Sequence, residues 1–149
     1  MRIFILVALT SITLSLVACS NDEDADKKEA QKIEGRWYTS LQIAEGQKVF
    51  SNNCAACHGS EGQGLTEDWK KSLPDGSYPP PPLNGTAHTW HHSKEQLLRT
   101  INNGGIPLGG VMPAFADKLT KKEKEAVMAY FMSLWPERIY EAWEKRNAN

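Results

Sequence analysis

The sequence predicts an all-α domain, a small bundle of four or five helices. Three windows carry apolar residues at helical spacing, 43–53, 93–101 and 120–134. Two of them open on capping-box signatures, Ser93 with Gln96 and Thr120 with Glu123, which mark helix starts. The third sign is Cys54-Ala55-Ala56-Cys57-His58, placed directly after the first window. With 149 residues, 40% hydrophobic and 23% charged, the chain suffices for one modest globular core and excludes a large multidomain enzyme. A formal net charge of −1 argues against a general nucleic-acid binder.

Before the first helix the chain reads as two segments. Arg2 precedes an uncharged run, 3–17, dominated by Ile, Leu, Val and Ala, which closes on Leu16-Val17-Ala18-Cys19. That layout is a signal peptide over 1–18, and the run falls short of the roughly twenty residues that span a bilayer as a helix. Its ending resembles the lipobox of bacterial lipoproteins. The resemblance implies that Cys19 becomes a lipid anchor, holding an exported chain to a bacterial membrane with its domain on the periplasmic or outer side. Residues 19–36 then form a tether: the stretch 20–32 is dominated by charge, with acidic residues leading and no large apolar side chain.

In the first window Ile43 and Phe50 fit one face of a short amphipathic helix, which runs straight into the cysteine motif. Two thiols three residues apart on a turn reach the two vinyl groups on one porphyrin edge. The next residue, His58, then projects an imidazole to the iron. Cys54, Cys57 and His58 are therefore read as a c-type haem attachment site. A thioredoxin-like dithiol lacks its βαβ setting, and half of a zinc site lacks a further cysteine pair.

From Trp37 to Trp135 the chain resembles class I cytochromes c of bacterial type. The resemblance implies a cytochrome c-like helical bundle around one covalently attached haem c, over 37–135. Gly46 and Phe50 match the family positions that cross an apolar and aromatic pair on the last helix, here Val127 and Tyr130. Pro81, Leu83 and Gly85 match a Pro-x-Leu-x-Gly segment whose proline carbonyl receives the proximal imidazole N–H, here that of His58. Met112-Pro113-Ala114-Phe115 looks like the family's methionine loop, which makes Met112 the distal ligand of the iron. The local sequence agrees: the loop is Gly-rich without helical period, and Pro113 keeps Met112 extended. Met128 and Met132, inside the last window, read as core packing.

The implied function is one-electron transfer between redox donor and acceptor proteins of a respiratory or other membrane-associated chain. No serine, histidine and acid set or carboxylate pair indicates hydrolysis, so no catalytic residue is assigned and the chain is not read as an enzyme. An alternative is a haem-bearing subunit or sensor whose iron opens to a small gas or peroxide.

Several features keep two readings. His88, His91 and His92 precede a helix and read as surface residues, against ligation of iron, copper or zinc. Trp90 is either a hydrogen-bond donor to a haem propionate or a core residue. The insertion 65–78, with Trp69, Leu73 and Tyr78, either covers a haem edge or marks a partner surface. Lys118, Lys121, Lys122 and Lys124 either steer an acidic partner or solvate a helix start. Residues 136–149 form an extra helix with Pro136 at its first position and Ile139, Tyr140 and Trp143 on one side. It packs on the domain or docks to a larger complex.

Overall fold

The structure, a computed structural model, describes residues 31–148. The leader 1–18, Cys19 and most of the tether lie outside the described residues. Five helices follow in chain order: α1 (Ser40–Asn53), α2 (Ala55–His58), α3 (Lys94–Asn103), α4 (Lys121–Ser133) and α5 (Glu137–Asn147). Short 3-10 turns occupy Thr89–His91 and Ile106–Leu108. Among the described residues extended pairing is confined to two isolated bridges, Lys32 with Thr39 and Tyr78 with Gly110, so the fold is all-α as expected.

The helix starts follow from local chemistry. Thr120 and Glu123 form the predicted reciprocal capping box at the head of α4. Ser93 accepts from the Gln96 backbone N–H, but no return bond from the Gln96 side chain completes a box there. A box not read from sequence opens α1, where Thr39 caps the Gln42 N–H and the Gln42 side chain accepts from the Thr39 N–H at 3.0 Å. It starts α1 three residues before the apolar pattern begins. Pro136 stands one position earlier than expected, as the N-cap of α5 rather than its first residue.

The core forms where α1 crosses α4. A Cβ at Gly46 would lie 1.9 Å from the Ala126 carbonyl oxygen and 2.9 Å from the Tyr130 Cβ, so only a glycine allows the backbones this close. One turn on, Phe50 is fully buried and its ring lies 5.1 Å from that of Tyr130. Such burial contributes about 1.5–3 kcal/mol per large apolar side chain. The expected single apolar face on α4 understates its burial: every residue from 126 to 132 is buried, Met128 and Met132 among them. Helices α1 and α3 both pack against α4, and the aromatic residues of the C-terminal end join the same core.

Helix α5 packs onto this bundle. Tyr140 and Trp143 are buried, and their rings join Trp135 in one aromatic cluster. The segment before α1 closes over them. The Trp37 backbone N–H donates to the Tyr140 hydroxyl at 3.3 Å, while Arg36 lies 3.7 Å above the Tyr140 ring and pairs with Glu137. Two indoles then reach forward to the connection before α3. Trp135 Nε1–H donates to the Leu83 carbonyl at 2.7 Å, and Trp143 Nε1–H to the His92 carbonyl at 2.9 Å.

Gly46→Ala is expected to lower stability by about 1–3 kcal/mol, as overpacking does when backbone must move. Equilibrium denaturation of the two proteins measures the difference, and an unchanged midpoint would show that the helices can separate without cost.

Candidate functional site

Cysteine 54 ends one helix and begins the next. Its N–H bonds the Phe50 carbonyl at 2.8 Å, and its own carbonyl accepts from the N–H groups of Cys57 at 3.0 Å and His58 at 2.9 Å. The two thiols therefore sit on a single tight turn; they are unpaired, with Cys54 half-buried and Cys57 exposed. Burial, reinforced by Cys57, pushes the Cys54 thiol up to about 11.

His58, the last residue of α2, is buried. Its Nδ1 lies 2.8 Å from the Pro81 carbonyl oxygen. That oxygen can only accept, so Nδ1 carries the proton and Nε2 keeps its lone pair. Desolvation holds the imidazole below its ordinary pKa, which favours the neutral form that ligates metals. The loop between His58 and Pro81 is tied at its root: Gly64 N–H bonds the His58 carbonyl at 2.7 Å, and Leu83 and Asn84 both donate to the Gly62 carbonyl.

Met112 arrives from the other end of the sequence. Helix α3 stops at Gly104, whose φ of +77° turns the chain and whose missing Cβ would stand 2.6 Å from the Met112 carbonyl oxygen. Gly105 N–H bonds that oxygen at 2.9 Å, and Phe115 and Ala116 return to the carbonyls of Ile101 and Asn102. The loop is thus closed on itself and leaves Met112 half-buried against the core.

His58, Pro81 and Met112 line one cavity of about 360 Å³, whose other walls include Leu97, Ile101 and Phe131. The volume falls in the range of about 300–1,000 Å³ usual for cofactor sites. Cys54 and Cys57 stand on the turn that delivers His58 and are not themselves part of the lining. The donor set, a neutral imidazole and a soft thioether in an apolar cavity beside two free thiols, fits a haem iron.

The insertion 65–78 runs beside this cavity. Trp69 and Tyr78 line it, and Tyr78 N–H bonds the Gly109 carbonyl at 3.0 Å, tying the insertion to the Met112 loop. The same segment leaves Leu65, Leu73 and much of Tyr78 exposed, so it combines a wall of the cavity with apolar surface open to solvent. The histidines depart from the surface reading in two of three cases: His88 and His92 are half-buried and line the cavity, while His91 is exposed. Trp90 does not reach the cavity but packs on His91 at 4.0 Å. The lysine cluster lies elsewhere. Lys122 pairs with Glu45 at 3.2 Å, and Lys124 donates to Asn102 and the Ala116 carbonyl. No part of the sequence pattern pointed to Thr89, which is buried in the cavity wall with its hydroxyl donating to the Pro82 carbonyl at 3.1 Å.

Comparison with known proteins identifies the region. A family model described as cytochrome C oxidase, cbb3-type, subunit III matches residues 41–131. A cbb3-type cytochrome c oxidase subunit FixP from Azorhizobium caulinodans is 33% identical over 90 residues, 60% of this chain and 26% of that protein. Subunit CcoP from Rhodobacter capsulatus is 31% identical over 110 residues, 69% of this chain and 33% of its own length. A cytochrome c6 from Cladophora glomerata is 36% identical over 89 residues, 59% of this chain and 84% of that protein. The chain thus spans only about a quarter to a third of the length of the oxidase subunits it matches. No solved structure matches.

These matches correct the sequence-based assignment to the bacterial class I cytochromes c. The reason is physical. A Cys-x-x-Cys-His turn and a methionine loop are what a haem demands of any small helical host, so they mark the cofactor chemistry and not the family. The relatives above include both oxidase subunits and a cytochrome c6.

Thr89→Val keeps the shape of the side chain and removes its donor to Pro82. Stability is expected to fall by about 1–3 kcal/mol, the cost of leaving a buried acceptor unmade, and a thermal melt of the full chain measures it.

Proposed function

The chain belongs to the cbb3-type cytochrome c oxidase subunit III family, and on that premise we propose that it is an electron-relay subunit. In this reading it passes single electrons to or from other subunits of a membrane-associated respiratory oxidase and is not itself a catalytic enzyme. It would carry one haem c, held by Cys54 and Cys57, with the His58 imidazole and the Met112 thioether as the groups that would bind its iron. The domain faces the periplasm, and attachment to the membrane through the leader and Cys19 belongs to the same proposal.

The observation that supports it most is the His58–Pro81 hydrogen bond beside Met112 in one apolar cavity. Bound there, a haem supplies an iron that alternates between the ferric and ferrous states. The protein does the remainder. Pro81 fixes the imidazole tautomer and its rotation, so Nε2 stays aimed and basic. The thiols of Cys54 and Cys57 would hold a porphyrin covalently and so keep it in the cavity independently of the iron-binding side chains. Met112 offers a soft thioether that favours the ferrous state and raises the potential above that of a bis-histidine site. Phe131, Leu97 and Ile101 exclude water from the cavity and so reduce the solvent reorganisation that each electron transfer requires.

Replacing both Cys54 and Cys57 by Ser is expected to abolish retention of haem on a denaturing gel. Met112→Ala is expected to remove the methionine-to-iron charge-transfer band of the oxidised protein, lower the potential and admit carbon monoxide to the reduced form. A variant that keeps the band would overturn Met112, and rapid carbon monoxide binding by the unsubstituted reduced protein would replace the closed relay by an open, ligand-binding iron.

A further inference from the structure

Pro79, Pro80, Pro81 and Pro82 run past the cavity without a single backbone N–H among them. Their fixed φ makes the run a stiff extended rod, so its placement depends on the donors at its two ends. Leu83 N–H bonds the Gly62 carbonyl at 2.6 Å, in the loop that leaves His58. Tyr78 N–H bonds the Gly109 carbonyl at 3.0 Å, in the loop that delivers Met112. Between those ends the Pro81 carbonyl takes the His58 Nδ1 bond. The rod therefore joins two sides of one cavity, fixing the imidazole at one point and reaching the methionine loop at another.

The methionine loop needs that second attachment. Its stem is tied down, because Gly105 N–H bonds the Met112 carbonyl and Phe115 and Ala116 bond the last turn of α3. Its tip is not held by burial, since Ile106 is 64% and Leu108 78% exposed. The bonds made by the N–H groups of Leu108, Gly109 and Gly110 close on the carbonyls of Gly105 and Ile106, inside the loop, and travel with it. Glycines at 104, 105, 109 and 110 leave its backbone free to turn. Among the described residues, Tyr78 is the one outside the loop to which the tip hydrogen-bonds. It pairs in a parallel bridge with Gly110, two residues before Met112. Tyr78 is itself placed by a turn: Leu73 N–H bonds the Ser77 carbonyl at 2.7 Å, and the Asp75 carboxylate accepts from the Ser77 N–H and hydroxyl.

We propose that Tyr78 is a positioning residue for Met112: its backbone N–H, at the head of the proline rod, braces the methionine loop and keeps the thioether at the cavity wall. The inference rests on the reading of Met112 as an iron-binding group given above. It assigns the insertion 65–78 a role, since the turn at its end sets the donor in place. Losing one backbone bond of this kind shifts a local opening equilibrium about 2- to 10-fold.

The test uses the full-length haem-loaded protein and two variants. Tyr78→Pro removes the N–H and lengthens the rod by one residue, while Tyr78→Leu keeps the N–H and replaces the ring. Carbon monoxide enters the reduced protein only when Met112 moves away, so it is expected to bind Tyr78→Pro about 2- to 10-fold faster. The methionine-to-iron band of oxidised Tyr78→Pro is expected to fade at a lower temperature, with the global melt little changed. Tyr78→Leu is expected to match the unsubstituted protein in both. Amide exchange gives a reading that does not depend on the iron: the Tyr78 N–H is expected to be protected in the unsubstituted protein, and the amides of residues 108–110 to exchange faster in Tyr78→Pro while those of α1 and α4 stay as they were. A haem-loaded Tyr78→Pro protein with an unchanged carbon monoxide rate overturns the proposal. Equal acceleration in Tyr78→Leu overturns it too, because the N–H is intact there. If Tyr78→Pro does not load haem, the unsubstituted protein decides: a Tyr78 amide that exchanges freely overturns the brace, and a protected one upholds it. A methionine-to-iron band that persists in Met112→Ala would instead overturn the reading of Met112, and this inference with it.

Discussion

Helix α1 and helix α4 meet with nothing between their backbones at Gly46, and the remaining structure is arranged around that contact. Because the Ala126 carbonyl occupies the space where a Cβ would stand, the crossing point and axial register of the two helices are set together. One turn beyond Gly46, Phe50 fills the angle between them; one turn beyond Phe50, α1 ends and Cys54 begins the tight turn to His58. Helix α4, fixed by the same crossing, carries Phe131 into the cavity wall. The crossing thus controls the position of the cysteine turn relative to the cavity. A shift of one residue in either helix would rotate Phe50 out of the core and carry the imidazole away from Pro81.

Around this fixed pair the rest of the site is built from irregular chain, and irregular chain needs its backbone groups satisfied by other means. The connection from Gly59 to Ser93 contains a single 3-10 turn. It is held by side-chain and loop bonds instead: two donors on the Gly62 carbonyl, the Thr89 hydroxyl on Pro82, and the indoles of Trp135 and Trp143 on Leu83 and His92. Each contributes only about 1 kcal/mol net. Their combined effect is positional, since they fix the carbonyl of Pro81 and the ring of His88 without a regular element passing through either. The Met112 loop is managed similarly, with Gly104 and Gly105 allowing it to fold back on the end of α3.

The parts of this protein that were legible from sequence are those governed by short-range chemistry. The Thr120 box, the cysteine turn, the Pro81 segment and the methionine loop each depend on residues within a few positions of one another. Where a local signal had to be weighed against packing, reading from sequence did less well. Residues 126–132 show an amphipathic pattern yet are buried all round, because α1, α3 and the C-terminal aromatics cover different sides. The Ser93 cap lacks its return bond, and the Thr39 box was masked by the weak apolar pattern at the start of α1. Family membership escaped for a different reason: the strongest motifs report the cofactor chemistry, which relatives as different as an oxidase subunit and a cytochrome c6 share with this chain's matched region.

The sequence by itself determined the helical class, the turn that pairs two thiols with an imidazole, and the thioether loop, because each is encoded in contiguous residues with a chemical reason for their spacing. Only the tertiary structure decided which of three histidines would face the cavity, that Trp90 would not, and that Trp69 from a long insertion would stack on His88. Those outcomes depend on contacts between segments far apart in sequence, such as Trp143 on His92, 51 residues away, whose partners carry no mark of one another until the helices have packed.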